Sequence, residues 1–197
     1  MRLLEKLFMV IRSHIRTPIT GQLLPKVARR YIAINLYDGS LLALGIVVSS
    51  MLLNLPPSEA VLNGVIIGFS SAVSGFMGAF LVERAELIRE VKELEKHLFI
   101  RLGTRQVYVS GLFLSLLNAA STSTPVFIAV IPFILADRSI ISFDAATVSS
   151  LLLVLASLLI LGFYLGRMAR ENPLKYGLLT LASASLIILL EVVLSFK

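Results

Sequence analysis

Cysteine and tryptophan are absent from this chain, and histidine occurs only twice, as His14 and His97. Without cysteine the chain can form no disulfide, and it has no thiolate to act as a nucleophile or to hold a metal ion. Any metal ligand must therefore be oxygen, imidazole or thioether. The sequence also lacks the G-x-S-x-G, P-loop and H-E-x-x-H motifs, so no nucleophile–base pair is visible. We expect the protein not to be an enzyme and to carry no organic cofactor.

Charged residues are scarce as well, at 15% of 197 residues, whereas 57% are hydrophobic and the mean hydropathy is +0.90. A soluble domain carries about 25% charged residues. The apolar excess requires a second solvent, and the lipid bilayer is the natural partner. Five segments of about 20 residues would use half of the chain. The composition therefore predicts an all-α, polytopic membrane protein with five transmembrane helices.

The predicted spans are separated by proline, glycine or charged residues. The first must take in Asp38, because the apolar run Leu41–Leu55 alone covers only about 22 Å. The other four are Ala60–Val82, Val107–Ala136, Ala145–Leu165 and Asn172–Phe196. This divides the chain into a cytoplasmic amphipathic arm (1–30), transmembrane helices 1 and 2 (31–82), a cytoplasmic Glu-rich helix that extends the second span (83–106), and transmembrane helices 3 to 5 (107–197).

The N-terminal residues 1–16 place apolar side chains on one arc of a helix and basic ones on the other. Such a helix lies on a membrane surface or packs on the protein's own domain, and the pattern leaves both open. The segment lacks the uninterrupted apolar core and cleavage site of a signal peptide, so we expect it to be retained. A connector with Pro18, Gly21 and Pro25 is predicted over residues 17–31.

Basic residues are distributed very unevenly about the five spans. Sixteen of the eighteen Lys and Arg residues fall in the N-terminal arm, the 83–106 segment and the 166–176 loop. By the positive-inside rule these parts are cytoplasmic and the C-terminus lies outside. The net charge of +6 therefore indicates topology, and we expect no nucleic-acid partner. The predicted location is the cell membrane, with a cytoplasmic N-terminus.

Asp38 is the first candidate functional residue, because an ionisable group within a span is costly and usually has a role. Its neighbours Asn35, Tyr37, Gly39 and Ser40 offer oxygen ligands or hydrogen bonds. An anionic oxygen here can hold a divalent cation or a proton. The alternative is that Asp38 caps the cytoplasmic end of the first helix.

The charged helix after the second span supplies a second candidate. At 100° per residue, its carboxylates and one imidazole fall within an arc of about 80°. These residues are Glu83, Glu86, Glu90, Glu93 and His97. Carboxylate and imidazole ligands suit Mn²⁺ or Fe²⁺ better than Cu(I). The alternative is a solvated face whose charge nearby Arg and Lys residues screen.

Five further residues are candidates with an ordinary structural alternative. The Met77 thioether can touch a passing metal or simply pack in the membrane. Asn35, Ser74 and Asn118 can line a polar path or hydrogen-bond between helices. Glu191, near the outer end of the fifth span, can bind a proton or extend to the interface.

These segments resemble the vacuolar iron transporter family. YDGSLLALGIVVS (37–49) resembles its Asp-Gly-centred first helix, and SAVSGFMGAFLVERAELIREVKELE (71–95) resembles the second helix running into a Glu-rich extension. IPFILA (131–136) and NPLKYGLL (172–179) fit its third and fifth helices. The resemblance covers about residues 28–196 and is to a short, prokaryotic-type member of this iron/manganese transporter superfamily.

The resemblance implies a five-helix homodimer that exports Fe²⁺ or Mn²⁺ from the cytosol, or sequesters it, in exchange for protons. Asp38 matches the family's first-helix aspartate on the metal path. The four glutamates of the charged helix match its cytoplasmic metal-collecting residues, and they are Glu83, Glu86, Glu90 and Glu93.

The sequence departs from that family at two points. Gly75 and Ala79 stand where the second helix usually carries a Met and a Glu, although Met77 is nearby. The charged extension is a single helix with a short return. These differences keep a second hypothesis open, a membrane scaffold or metal sensor that has the fold but does not transport.

Overall fold

The computed structural model describes residues 24–98 and 105–195, all of them in or between helices. Side chains are described over 27–96, apart from Leu87 and Leu94, and over 111–190 and 192–193. The five helices are α1 (Leu24–Leu52), α2 (Pro57–Leu98), α3 (Arg105–Asp137), α4 (Phe143–Ala169) and α5 (Pro173–Ser195). The predicted N-terminal amphipathic helix lies outside the described residues.

All five helices are long and apolar enough to cross a bilayer. The prediction of an all-helical, multi-pass membrane protein is therefore confirmed. The continuity of the second span with the charged helix is confirmed too, because α2 runs for 42 residues without a break. The predicted connector was wrong for residues 24–31, which belong to α1. Pro25 falls in the first turn of α1, where a missing N–H costs nothing.

The helices contribute to two compact units. Among the described residues, the first unit contains the start of α1 (24–32), the later part of α2 (73–98) and the start of α3 (105–119). The second unit contains 33–72 and 120–195, and thus the rest of α1, α2 and α3 together with all of α4 and α5.

The second unit has an apolar core made from all its helices. Its buried residues include Ala43, Leu44 and Val47 of α1, Ala60 of α2, Val126 and Phe133 of α3, Val154 and Leu158 of α4, and Ala184 of α5. In lipid, apolar burial does not drive helices together, so close packing and interhelical hydrogen bonds must do so. Hydroxyl groups make several such bonds, among them Ser40 with Ser157 at 2.9 Å, Ser150 to the Ala129 carbonyl at 2.7 Å, and Thr180 to the Leu158 carbonyl at 2.9 Å.

The hairpin of α4 and α5 depends on glycine. A Cβ added to Gly162 would lie 2.6 Å from the Gly177 Cα, and one added to Gly166 would lie 2.6 Å from the Pro173 Cα. The two backbones therefore pack in direct contact. The Asn172 side chain accepts a hydrogen bond from the Leu174 amide at 2.9 Å, which confirms the predicted cap-plus-Pro start of the fifth helix.

Gly39 and Gly78 form a matched pair for a stability prediction. A Cβ on Gly39 would collide with the Thr122 carbonyl oxygen of α3, whereas a Cβ on Gly78 would meet nothing within 4 Å. We expect Gly39→Ala to destabilise the fold by about 1–3 kcal/mol, because α3 must move away. Gly78→Ala should leave stability unchanged or raise it by up to about 1 kcal/mol. Denaturant unfolding in detergent micelles measures both, and equal effects of the two substitutions would contradict this assignment.

Candidate ion-binding site

Glu83 is the residue of the glutamate stripe that the structure buries. Its side chain is only 8% exposed, and it lies within the apolar part of α2 that is long enough to span a bilayer. The residue sits about 39 Å along the helix from Pro57, which places it near one edge of a hydrocarbon core about 30 Å thick. A carboxylate in such a place needs hydrogen bonds or positive charge to offset its lost hydration.

Tyr31, in the first unit like Glu83, supplies one such hydrogen bond. The tyrosine hydroxyl donates to Oε1 of Glu83 at 2.7 Å, joining the start of α1 to α2. The structure records no other partner for Glu83 among the side chains that it describes. Among the side chains described, the second carboxylate oxygen has no partner, and a ligand that brings positive charge would offset the lost hydration of this nine-tenths buried group.

The glutamates that follow Glu83 on the same face of α2 are exposed. The face of α2 that buries Ala79 and Glu83 continues into Glu86 and Glu90, both of which are exposed. Ala79 and Glu90 are eleven residues apart, so they differ by only about 20° around the helix. One helix face thus carries a row of carboxylates that runs from solvent into a buried position.

Glu93 has a counter-ion of its own. Its Oε1 accepts a hydrogen bond from the Arg89 Nε at 3.0 Å, in an exposed i,i+4 ion pair. Such pairs contribute only about 0.3–0.5 kcal/mol, so Glu93 is still accessible to a competing cation.

Asp38 occupies a different environment, in the second unit. It is the middle residue of α1, about 21 Å from either end, and its side chain is exposed. The structure records no hydrogen bond or ion pair between its carboxylate and any side chain that it describes. An exposed, mid-helix carboxylate does not fit the alternative of a helix-end cap.

Two of the polar residues proposed to line a path, Asn35 and Asn118, make hydrogen bonds between helices. Asn118 donates through Nδ2 to the Gly75 carbonyl at 2.6 Å, within the first unit. In the second unit the Thr122 hydroxyl donates to Oδ1 of Asn35 at 3.2 Å. Ser74 is exposed. Asn35 and Asn118 thus fit the alternative in which they hydrogen-bond between helices. Their remaining polar atoms can still contact a passing ion.

The structure does not bring the whole predicted ligand set together. Among the described residues, no three His, Asp or Glu side chains form a group that could hold a metal ion. Met77 is 46% exposed and lies about 120° around α2 from Glu83, so the two face different sides. The side chains of His97 and Glu191 lie outside the described residues.

Sequence reasoning missed Tyr31, and it did not predict that Thr122 pairs with Asn35. Tyr31 lies 52 residues before Glu83, and Thr122 lies 87 residues after Asn35. A tyrosine hydroxyl near a predicted membrane boundary was the only local signal for the first pair. Neither pairing follows from periodicity, because each joins different helices.

No protein-family model matches the chain. The chain is similar to the protein of Methanocaldococcus jannaschii named Uncharacterized protein MJ0645, with 30% identity over 166 residues. The match covers 79% of this chain and 82% of the archaeal protein. The chain belongs to the family of this archaeal protein. Since the name of that relative specifies no activity, a function for the family must be argued from the site.

Proposed function

We propose that this protein transports a divalent transition-metal ion, Fe²⁺ or Mn²⁺, out of the cytosol across a membrane. Proton exchange is part of the proposal. The observation that carries it is the buried Glu83 carboxylate at the inner end of a glutamate row, which has one hydrogen-bond donor among the described side chains, Tyr31. The exposed members of the row attract cations, and the buried member offers a partly dehydrated ligand. The resemblance to the vacuolar iron transporter family is consistent with this role.

We infer further that two copies of the chain meet at the exposed face of α1. Ile34, Asp38 and Leu42 recur every fourth residue on that face and are all exposed. Lipid would leave the Asp38 carboxylate without partners at a cost of roughly 3 kcal/mol. A second copy would bring its own Asp38 carboxylate to the same face, and a divalent cation held between the two would balance their charges. A homodimer would therefore shield the Asp38 carboxylate from lipid and place it on the metal path.

Because the chain has no cysteine of its own, single introduced cysteines can test the homodimer. Ile34 is 51% exposed one turn before Asp38, so Ile34→Cys should give covalent dimers with a short bifunctional thiol reagent in native membranes. Ile160→Cys, at an α4 position that is 67% exposed, is the control and should stay monomeric. Cross-linking at Ile160→Cys but not at Ile34→Cys would place the interface elsewhere.

For orientation, we propose that the N-terminus and the glutamate row face the cytoplasm in the cell membrane. The support is the concentration of Lys and Arg in the N-terminal arm, the 83–106 segment and the 166–176 loop. In this orientation the row collects metal from the cytosol, so the transport direction is export or sequestration.

Transport can be tested directly with purified protein in proteoliposomes that contain a metal-sensitive dye. We expect Mn²⁺ and Fe²⁺ to enter faster than in protein-free vesicles, and an opposing proton gradient to increase the rate. Ca²⁺, a harder cation that prefers more oxygen ligands, is the selectivity control. If neither Fe²⁺ nor Mn²⁺ moves, with or without the gradient, the transport proposal is wrong.

The second candidate is a membrane scaffold or metal sensor that binds metal without transporting it. Gly75 and Ala79 favour it, since they offer no side-chain ligand next to Glu83. Calorimetry separates the two functions. Metal binding that disappears in Glu86→Ala and Glu90→Ala, in a protein without flux, would favour the sensor.

A further inference from the structure

The turn between α4 and α5 carries an exposed cluster of cations that the proposed transport does not use. Arg167, Arg170 and Lys175 lie within nine residues and are all exposed, and Glu171 is the only acid among them. The structure records no hydrogen bond or ion pair for these three cationic side chains with the residues that it describes. Three cations and one acid give the cluster a net positive charge, and none of its cations forms an ion pair with a described side chain.

Arg170 occupies a backbone conformation that normally selects glycine. Its φ of 57° and ψ of 31° are left-handed, and its amide bonds to the Arg167 carbonyl to close α4. Glycine fills this position most often, because a side chain there is strained by roughly 1 kcal/mol. The other two left-handed residues among those described are Asn54 and Ser139, both small and polar. A long cationic side chain kept at such a position suggests a use for its guanidinium.

The surroundings of the cluster are those of a membrane interface. The turn joins two helices that are long enough to span the bilayer. Exposed apolar side chains adjoin the cations on both helices, namely Tyr164 and Met168 on α4 and Leu174 and Leu178 on α5. The cations therefore lie at the depth of phospholipid phosphates, and the apolar side chains at the depth of acyl chains.

We propose that the α4–α5 turn binds the head group of an anionic phospholipid through Arg167, Arg170 and Lys175. The guanidinium groups make paired hydrogen bonds to phosphate oxygens, and the lysine adds a point charge. The acyl chains lie along the exposed apolar residues of α4 and α5. This site is independent of metal transport.

Native mass spectrometry of the purified protein in detergent tests the site by titration with phosphatidylglycerol or phosphatidylcholine. We expect the wild-type protein to bind phosphatidylglycerol more tightly than phosphatidylcholine. Added salt should weaken the binding of phosphatidylglycerol, because it screens the charges. Each cation near a membrane surface contributes about fivefold in affinity. Arg170→Gly should therefore weaken phosphatidylglycerol binding about fivefold. Replacing Arg167, Arg170 and Lys175 together by glutamine should weaken it roughly a hundredfold.

The Arg170→Gly variant also checks its own folding, since glycine suits the left-handed position and thermal unfolding should be unchanged or higher. Arg138→Gln, in the α3–α4 turn, removes one exposed cation elsewhere and should not affect lipid binding. Equal binding of the two lipids, or unchanged affinity in Arg170→Gly, would overturn the proposal. Displacement of phosphatidylglycerol by inorganic phosphate at equal concentration would also overturn it, by showing a site for free anions.

Discussion

A Glu83→Gln variant is expected to lose metal flux by about a hundredfold while folding as the wild type does. Removing a hydrogen-bonding partner of a metal ligand already costs about 10- to 100-fold, and here the ligand itself loses its charge. Glutamine has the same shape and keeps an oxygen that can accept the Tyr31 hydrogen bond. Initial Mn²⁺ uptake into proteoliposomes, at matched protein content, measures the effect.

Two further variants separate a functional Glu83 from a structural one. Glu59→Gln removes an exposed carboxylate from the first turn of α2 and should leave flux unchanged. Tyr31→Phe removes only the hydrogen bond to Glu83, and we expect flux to fall about tenfold with little change in unfolding. Wild-type flux in Glu83→Gln would exclude this carboxylate from the metal path. A variant that fails to fold would instead assign Glu83 a structural role.

Replacing Asp38 is the second substitution with a large expected effect. We expect Asp38→Leu to abolish measurable flux but to insert and fold at least as well as the wild type. An aspartate at a helix centre costs roughly 3 kcal/mol on insertion, whereas leucine is slightly favourable there. Asp38 would thus lower stability while being required for activity, which is the usual conflict between stability and function. Flux and thermal unfolding of the same preparation measure both sides of this prediction.

Asp137 provides the comparison for Asp38. It is exposed at the last position of α3, where water can solvate its charge, so Asp137→Leu should leave both flux and stability nearly unchanged. Full transport by Asp38→Leu would remove Asp38 from the mechanism. A marked loss of stability in Asp38→Leu would show that the carboxylate is paired in the assembled protein. Asp38→Asn keeps the shape of the side chain and removes its charge, so it separates the effect of the charge from the effect of the shape.

Much of the fold was predictable from local pattern. The number of spans, the Asn172–Pro173 start of α5 and the unbroken passage from the second span into the charged helix were all predicted, and the structure confirms them. These features depend on hydropathy and periodicity over neighbouring residues, which a single sequence contains. A local error, at residues 24–31, came from treating Pro25 as a breaker when it stands in the first turn of a helix. The first helix also ends at Leu52, three residues before the predicted Leu55.

The candidate site was predictable in its residue types and not in its arrangement. Periodicity identified a stripe of glutamates as one set, yet the structure buries Glu83 and leaves Glu86 and Glu90 exposed. Helical spacing tells which residues share a face, but burial depends on which other helices cover that face.

The sequence by itself determined that the chain is a five-helix membrane protein with acidic groups in and beside its spans. Only the tertiary structure decided that Tyr31, 52 residues away, is the partner of Glu83, and that Asp38 has none among the side chains described. The physical reason is that hydropathy is a property of each segment alone. A hydrogen bond to a buried carboxylate is a property of two segments, which meet only when the chain has folded.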